Sequence, residues 1–94
     1  MAIKYVVELF VEGHSPSSEQ AIENLKDILE EEMPGIYELR IIDVFKNPQQ
    51  AEKKKVAAVP TLAMVIPPGA KRIIGDLSNK EKILAWLKFD VKKK

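Results

Sequence analysis

The order of apolar and polar positions divides the chain into strand-like and helix-like segments. Residues 3–11 (IKYVVELFV) carry β-branched and aromatic side chains at odd and even positions alike, which predicts a central strand covered on both faces. Residues 37–44 (YELRIIDV) and 61–66 (TLAMVI) predict a second and a third strand. A turn at 67–69 (PPG) leads into residues 71–75 (KRIIG), so the third and fourth strands should form a hairpin.

A long helix is predicted between the first two strands. Ser15 suits an N-cap, and Pro16 suits the first helical position, where its missing N–H costs nothing. Apolar residues then recur at spacings of three and four, and Pro34 with Gly35 ends the helix. The predicted buried stripe consists of Ala21, Ile22, Leu25, Ile28 and Leu29.

Two more helices are predicted in the second half of the chain. Residues 49–58 give a weak helix after the cap-and-proline pair Asn47-Pro48, with three consecutive lysines and few large apolar residues. Residues 78–81 (SNKE) match a capping box, with Ser78 as the cap of a final helix. The predicted buried face of that helix contains Ile83, Leu84, Leu87 and Trp86.

The resulting order, βαβαββα, predicts an α/β protein with one mixed four-stranded sheet and helices on both faces. Strand, helix and strand within about 40 residues form a parallel βαβ unit with a right-handed crossover. The pattern indicates a single domain over residues 1–91, followed by a basic disordered tail at 92–94.

Charge is balanced in total but not along the chain. The 94 residues contain 15 Lys and Arg against 14 Asp and Glu, so the total favours neither nucleic acid nor a membrane surface. Residues 19–32 hold six acidic side chains, whereas 46–55 and the segment after Ser78 are basic. Such a molecule can dock complementary surfaces, although ordinary solvated helix faces show the same pattern. No apolar run approaches the length of a membrane span and no signal-peptide layout is present, so we expect a cytoplasmic protein.

The chain offers few groups for catalysis. It has no cysteine, which excludes disulfides, thiolate nucleophiles and cysteine metal sites. The single histidine, His14, precedes Ser15 in the loop after the first strand, and we interpret it as an exposed loop residue rather than a base or a metal ligand. We therefore expect a binding protein without catalytic residues, cofactor or metal.

The predicted order resembles the thioredoxin fold, in which a Val-Pro-Thr-like sequence opens the third strand. Here Val59-Pro60-Thr61 occupies that place, and the resemblance makes a cis bond before Pro60 more probable than for an average proline. Thioredoxins carry two cysteines at the start of the first helix. The corresponding loop, residues 13–18 (GHSPSS), contains no sulfur.

Six ordered motifs extend the resemblance to a particular family, the KaiB circadian clock proteins. The motifs are Leu9-Phe10-Val11, Gly13-x-Ser15-Pro16-x-Ser18, Ile41-Ile42-Asp43-Val44, Lys46-Asn47-Pro48, Val59-Pro60-Thr61-Leu62 and Arg72-Ile73-Ile74-Gly75-Asp76-Leu77-Ser78-Asn79. Together they cover nearly the whole chain.

This resemblance implies a protein that adopts two folds and works through partners. One form is a thioredoxin-like monomer, which binds the ATPase KaiC and recruits or displaces KaiA and a SasA-type histidine kinase. The other is a homotetramer whose second half is folded differently. By the same resemblance, the edge of the second strand contacts KaiA at Arg40, and the second-helix region contacts KaiC. That region here is Lys53, Lys54, Lys55, Val56 and Ala57.

The chain also departs from the pattern of clock members. Their last helix has a Gly-Leu-Asp step, where this chain has Trp86-Leu87-Lys88. Losing the glycine removes a helix penalty of up to ~1 kcal/mol. Lys88 suits the end of a helix, and Trp86 adds buried area, so these changes favour the thioredoxin-like form. Two family positions that carry a cation for KaiC are Gln20 and Met64 here, and lysines at 92–94 replace an acidic tail.

Two other functions fit the same fold. A scaffold or sensor module in stress or kinase signalling without a clock would have the same domain. A transferase of glutathione type would use Ser15 beneath Pro60 to activate a thiol, although the loop lacks a basic pair to hold glutathione's carboxylates.

Overall fold

The computed structural model describes residues 3–66, 68, 72–75 and 77–92, with side chains as far as residue 87. Its elements are β1 (Tyr5–Val11), α1 (Pro16–Glu32), β2 (Tyr37–Asp43), α2 (Pro48–Lys53), β3 (Thr61–Ile66), β4 (Ile73–Ile74) and α3 (Lys80–Lys92). The predicted order of strands and helices is therefore confirmed.

The four strands form one mixed sheet in the order β2-β1-β3-β4. β1 and β2 are parallel, with Tyr5 opposite Tyr37 and Val11 opposite Asp43. β3 runs antiparallel to both β1 and β4. The predicted parallel unit and hairpin thus share one sheet, in which β1 is central and β2 lies at an edge.

The main core lies on one face of this sheet. Because side chains alternate along a strand, Val7, Leu9 and Val11 of β1 point to the same face, where they join the buried residues of α1 and α3. α1 begins as predicted: Ser15 caps it by accepting a hydrogen bond from the amide of Ser18 at 3.2 Å. The buried residues of α1 are Ser18, Ala21, Leu25, Ile28 and Leu29.

The opposite face of the sheet has fewer buried residues, and one of them, Glu8, is charged. Val6, Glu8 and Phe10 of β1 point to this face, and all three are buried. Lys54, which follows α2 directly, contacts Glu8, so the end of α2 lies over this face. The prediction of helices on both faces is confirmed, with α1 and α3 on one face and α2 on the other.

α2 is shorter than the predicted helix over 49–58. It ends at Lys53 because Lys55 has a left-handed backbone (φ 57°), which turns the chain out of the helical path. No residue of α2 is buried, so packing against the protein does not stabilise a longer helix here. Asn47 precedes α2 but makes no side-chain capping hydrogen bond. Its side-chain amide donates instead to the backbone carbonyl of Asp43 at 3.2 Å.

α3 begins one residue later than the predicted capping box implies. Its first helical residue is Lys80, and Asn79 accepts a hydrogen bond from the amide of Lys82 at 3.1 Å, so Asn79 rather than Ser78 occupies the cap position. The predicted buried face is confirmed for Ile83, Trp86 and Leu87, with Leu84 partly buried against the core.

Several predictions in the second half fall partly outside the described residues. These are the turn residues 67 and 69, residue 71 of the predicted fourth strand, the side chain of Lys88 and residues 93–94. β4 itself is limited to Ile73–Ile74, and α3 extends to Lys92, the first residue of the predicted tail.

Candidate partner-binding surface

The residues predicted to bind KaiC form one continuous surface at the end of α2. We call residues 53–57 the α2 surface. Lys53, Lys55 and Ala57 are exposed, whereas Lys54 and Val56 are partly buried. The amide of Val56 donates to the carbonyl of Ala51 at 2.8 Å, which folds the segment back against the helix. Two exposed lysines and an exposed alanine therefore lie on one short segment.

Beneath the α2 surface lies Glu8, a buried carboxylate in the central strand. Its side chain is 6% exposed, with Oε1 at 3.2 Å from Lys54 Nζ and Oε2 at 3.8 Å from Arg40 Nη1. A buried carboxylate is costly unless cations neutralise it, and here β2 and the residue after α2 each supply one. Glu8 thus brings together Arg40 and Lys54, two predicted partner-binding residues that lie 14 positions apart in the chain.

Arg40 lies at the β2 edge, as predicted, and is half-exposed. Its Nε donates to Glu38 Oε2 at 2.6 Å. This hydrogen bond and the negative charge of Glu38 raise the pKa of Arg40 above its usual value, so the guanidinium is charged at every accessible pH. Ile41, the next residue, is 43% exposed and points to the other face of the sheet, because side chains alternate along a strand.

Arg72 holds the backbone of the α2 surface from the other side. Its guanidinium donates to the carbonyls of Lys54 and Lys55, the latter at 3.1 Å. These carbonyls come just after the last turn of α2, where a helix leaves acceptors without partners. The sequence contains no signal for this contact, because the residues are 17 and 18 positions apart.

Glu8 could have been identified from the sequence. It is the single acidic residue inside an apolar strand that was predicted to be covered on both faces, and such a carboxylate needs a cationic partner. The cation that pairs with Glu8 was not predictable, because the pairing depends on where α2 ends.

The other singled-out residues lie away from this surface or inside the protein. His14 is 93% exposed in its loop, with Nδ1 at 3.1 Å from Glu19 Oε2. Pro60 is buried at the start of β3, and the Val59–Pro60 bond is cis. Gln20 is exposed on α1, where it donates to Asn24 at 3.0 Å. Met64 is buried in the main core, so a side chain at that position does not reach a partner in this fold.

Neither a metal cluster nor a membrane helix is found in the part of the chain that the structure describes. No group of three or more His, Cys, Asp or Glu side chains there is arranged to hold a metal ion. None of the helices in the described ranges is long and apolar enough to cross a bilayer.

Known proteins similar to this chain are circadian clock proteins. The model of the KaiB domain family matches residues 8–89. The circadian clock oscillator protein KaiB of Microcystis aeruginosa is 55% identical over 83 residues, which cover 88% of this chain and 80% of that protein. KaiB of Thermosynechococcus vestitus is also 55% identical over 83 residues, covering 88% of this chain and 77% of that protein.

Solved structures confirm the thioredoxin-like fold. The N-terminal domain of Synechococcus elongatus SasA has a TM-score of 0.75 at 25% identity, covering 95% of this chain and 88% of that one. Mitochondrial thioredoxin 3 of Saccharomyces cerevisiae has a TM-score of 0.74 at 18% identity over 93% and 79% of the two chains, a likeness of fold alone. Because the family model spans most of the sequence and the relatives share more than half of the aligned residues, the chain belongs to the KaiB domain family.

Proposed function

We propose that this chain is a clock regulator that binds the KaiC ATPase through the α2 surface while in its thioredoxin-like form. Membership in the KaiB domain family carries the proposal, since relatives 55% identical over 88% of the chain are clock oscillator proteins. The structure supports the choice of surface, because Lys53, Lys55 and Ala57 are exposed on one short segment. Such a surface suits a partner with an acidic docking site.

The β2 edge is the proposed site for a second partner of KaiA type. Arg40 is half-exposed there on the face that carries α2, and Ile41 is exposed on the opposite face. An edge strand also presents unpaired backbone groups that another protein can use. The two proposed surfaces meet at Glu8, which contacts both Arg40 and Lys54, so partners bound there lie side by side.

Displacement of a SasA-type kinase is the proposed route by which the chain alters signalling. The SasA N-terminal domain shares this fold at a TM-score of 0.75. Two domains of the same shape can compete for one docking surface, so we propose that this chain and a SasA domain exclude each other on KaiC.

Co-elution in size-exclusion chromatography tests the proposal. We expect the chain to elute with a purified cyanobacterial KaiC in at least one nucleotide state, and excess SasA N-terminal domain to release it. Lys53→Glu should weaken the complex. Lys26→Glu makes the same charge change on exposed α1 and should not. Absence of co-elution in every nucleotide state would contradict the proposed function.

A scaffold or sensor module of kinase signalling is the second candidate. It is favoured by Gln20, an exposed uncharged residue at a position where the family resemblance implies a cation for KaiC. Binding to the isolated sensor domain of a histidine kinase, together with no binding to KaiC, would establish this candidate instead.

A further inference from the structure

The α2 surface has little apolar anchoring, because none of its residues is fully buried and Val56 is its one partly buried apolar residue. α2 has six residues, and none of them is buried. A helix of that length is unstable in water by itself, because its few hydrogen bonds do not offset the cost of ordering the chain. The position of the α2 surface must therefore depend on specific polar contacts with the rest of the protein.

Glu8 provides the side-chain contact from the sheet. Its Oε1 lies 3.2 Å from Lys54 Nζ, and its side chain is 6% exposed, so water screens this pair less than a surface pair. Arg40 lies farther from Glu8, at 3.8 Å, and has a closer carboxylate in Glu38 at 2.6 Å. The loss of the Glu8 charge would therefore affect Lys54 more than Arg40.

We propose that Glu8 is a positioning residue for partner binding, which holds the α2 surface in place without touching the partner. The inference rests on the proposed function, because the partner is the one assigned there to the α2 surface. Glu8 is 4% exposed in the central strand, which leaves it no area for direct contact. It acts through Lys54, whose backbone carbonyl Arg72 holds at the same time.

The sign of the effect separates positioning from simple electrostatics. Glu8 is a buried negative charge in contact with a cationic surface. If its role were only electrostatic, removing it would make the surface more positive and strengthen binding to an acidic partner. Positioning predicts the opposite, namely weaker binding, because Lys54 and the segment that follows it lose their fixed place.

Glu8→Gln is the test, with Glu38→Gln as the matched control. Both variants remove one carboxylate charge from the same face of the sheet. We expect Glu8→Gln to speed amide hydrogen exchange about tenfold in residues 54–57 of the free protein, and to leave β1 and β3 unchanged. KaiC affinity should fall about tenfold, which corresponds to about 1.4 kcal/mol. Glu38→Gln should change neither exchange nor affinity by more than about twofold.

A second variant removes the positive charge of the Glu8–Lys54 ion pair. Lys54→Met keeps the aliphatic stem and removes the charge, so it should speed exchange in the same residues. Combined with Glu8→Gln it should add little further, because both changes remove one interaction. Equal contributions that add fully would overturn the proposal.

Failure of the positioning role and failure of the proposed function give different experimental results. Glu8→Gln that binds KaiC as well as the wild type, or more tightly, overturns the positioning role while leaving the proposed function intact. A wild-type protein that never binds KaiC contradicts the proposed function, and exchange in residues 54–57 still shows whether Glu8 positions the segment.

Discussion

Asn79 caps α3 because its side-chain oxygen accepts the amide hydrogen of Lys82 at 3.1 Å. Asn79→Ala removes this acceptor and should lower the free energy of unfolding by about 1 kcal/mol, measured by urea denaturation. Asn79→Asp keeps the acceptor and places a negative charge at the helix N-terminus, so it should retain full stability. If Asn79→Ala were as stable as the wild type, the cap would lie elsewhere.

Tyr37 is joined to the end of α1 by a hydrogen bond from its hydroxyl to Glu30 Oε2 at 2.7 Å. That bond, followed by partial burial and the charge of Glu30, raises the pKa of Tyr37 above its usual 10.0. The protonated phenol is thus favoured in the folded state. The stability it adds is fully present below pH 10.0 and is lost as the pH rises through the raised pKa.

Titration of tyrosinate absorbance in a Tyr5→Phe background measures this pKa directly, because Tyr37 is then the one tyrosine present. Glu30→Gln should move the midpoint down towards 10.0. Glu31→Gln removes the neighbouring carboxylate, which pairs with Lys80 at 2.6 Å, and should leave the midpoint where it was. Equal shifts in the two variants would show that general charge, rather than the hydrogen bond, sets the pKa.

Elements were predictable from the sequence where one periodic apolar stripe controls them. α1 has both a cap and a stripe, so its start and its buried face follow from local chemistry. α2 has neither, and its end depends on Arg72 and Glu8, which are distant in the chain. The parallel pairing of β1 and β2 followed from the predicted βαβ unit, whereas the edge position of Arg40 came from the family resemblance. The contact of Glu8 with both Arg40 and Lys54 was not predictable, because it depends on how segments distant in the chain pack together.

Trp86 is the largest side chain that α3 contributes to the main core, and it is 9% exposed. Trp86→Ala should cost about 3–5 kcal/mol of unfolding free energy, because a large buried side chain leaves a cavity. Ala85→Ser on the exposed side of the same helix should cost less than about 0.5 kcal/mol. A small loss for Trp86→Ala would mean that α3 does not depend on this contact.

Trp86→Gly combined with Lys88→Asp tests whether these positions bias the choice between two folds. The glycine adds a helix penalty of about 1 kcal/mol to the lost packing, and aspartate late in a helix opposes the dipole. We expect weaker helical circular dichroism and, in light scattering, a mass shifted towards four times the 10.6 kDa of one chain. A monomer with unchanged helical signal would contradict a role for Trp86 and Lys88 in the bias.

At the scale of the whole molecule, the exposed charge is unevenly distributed, since α1 is acidic and the end of α2 is basic. The exposed acidic residues of α1 lie on the side of the main core, and the exposed Lys53, Lys55 and Arg72 lie around the end of α2 on the opposite side. The net charge of +1 hides this separation. An uneven distribution of this kind orients the protein as it approaches a charged partner, which affects the association rate more than the final affinity.

The association rate with KaiC should therefore fall as the salt concentration is raised, because salt screens the attraction between the exposed lysines and the partner's charge. Lys55→Glu should slow association roughly threefold to tenfold at low salt and less at high salt, as measured by stopped flow or surface plasmon resonance. Lys4→Glu, an equal charge reversal at an exposed position before β1, should have a much smaller effect. If both reversals slowed association equally, net charge rather than the α2 surface would steer the encounter. A rate independent of salt would show that electrostatics do not guide the approach.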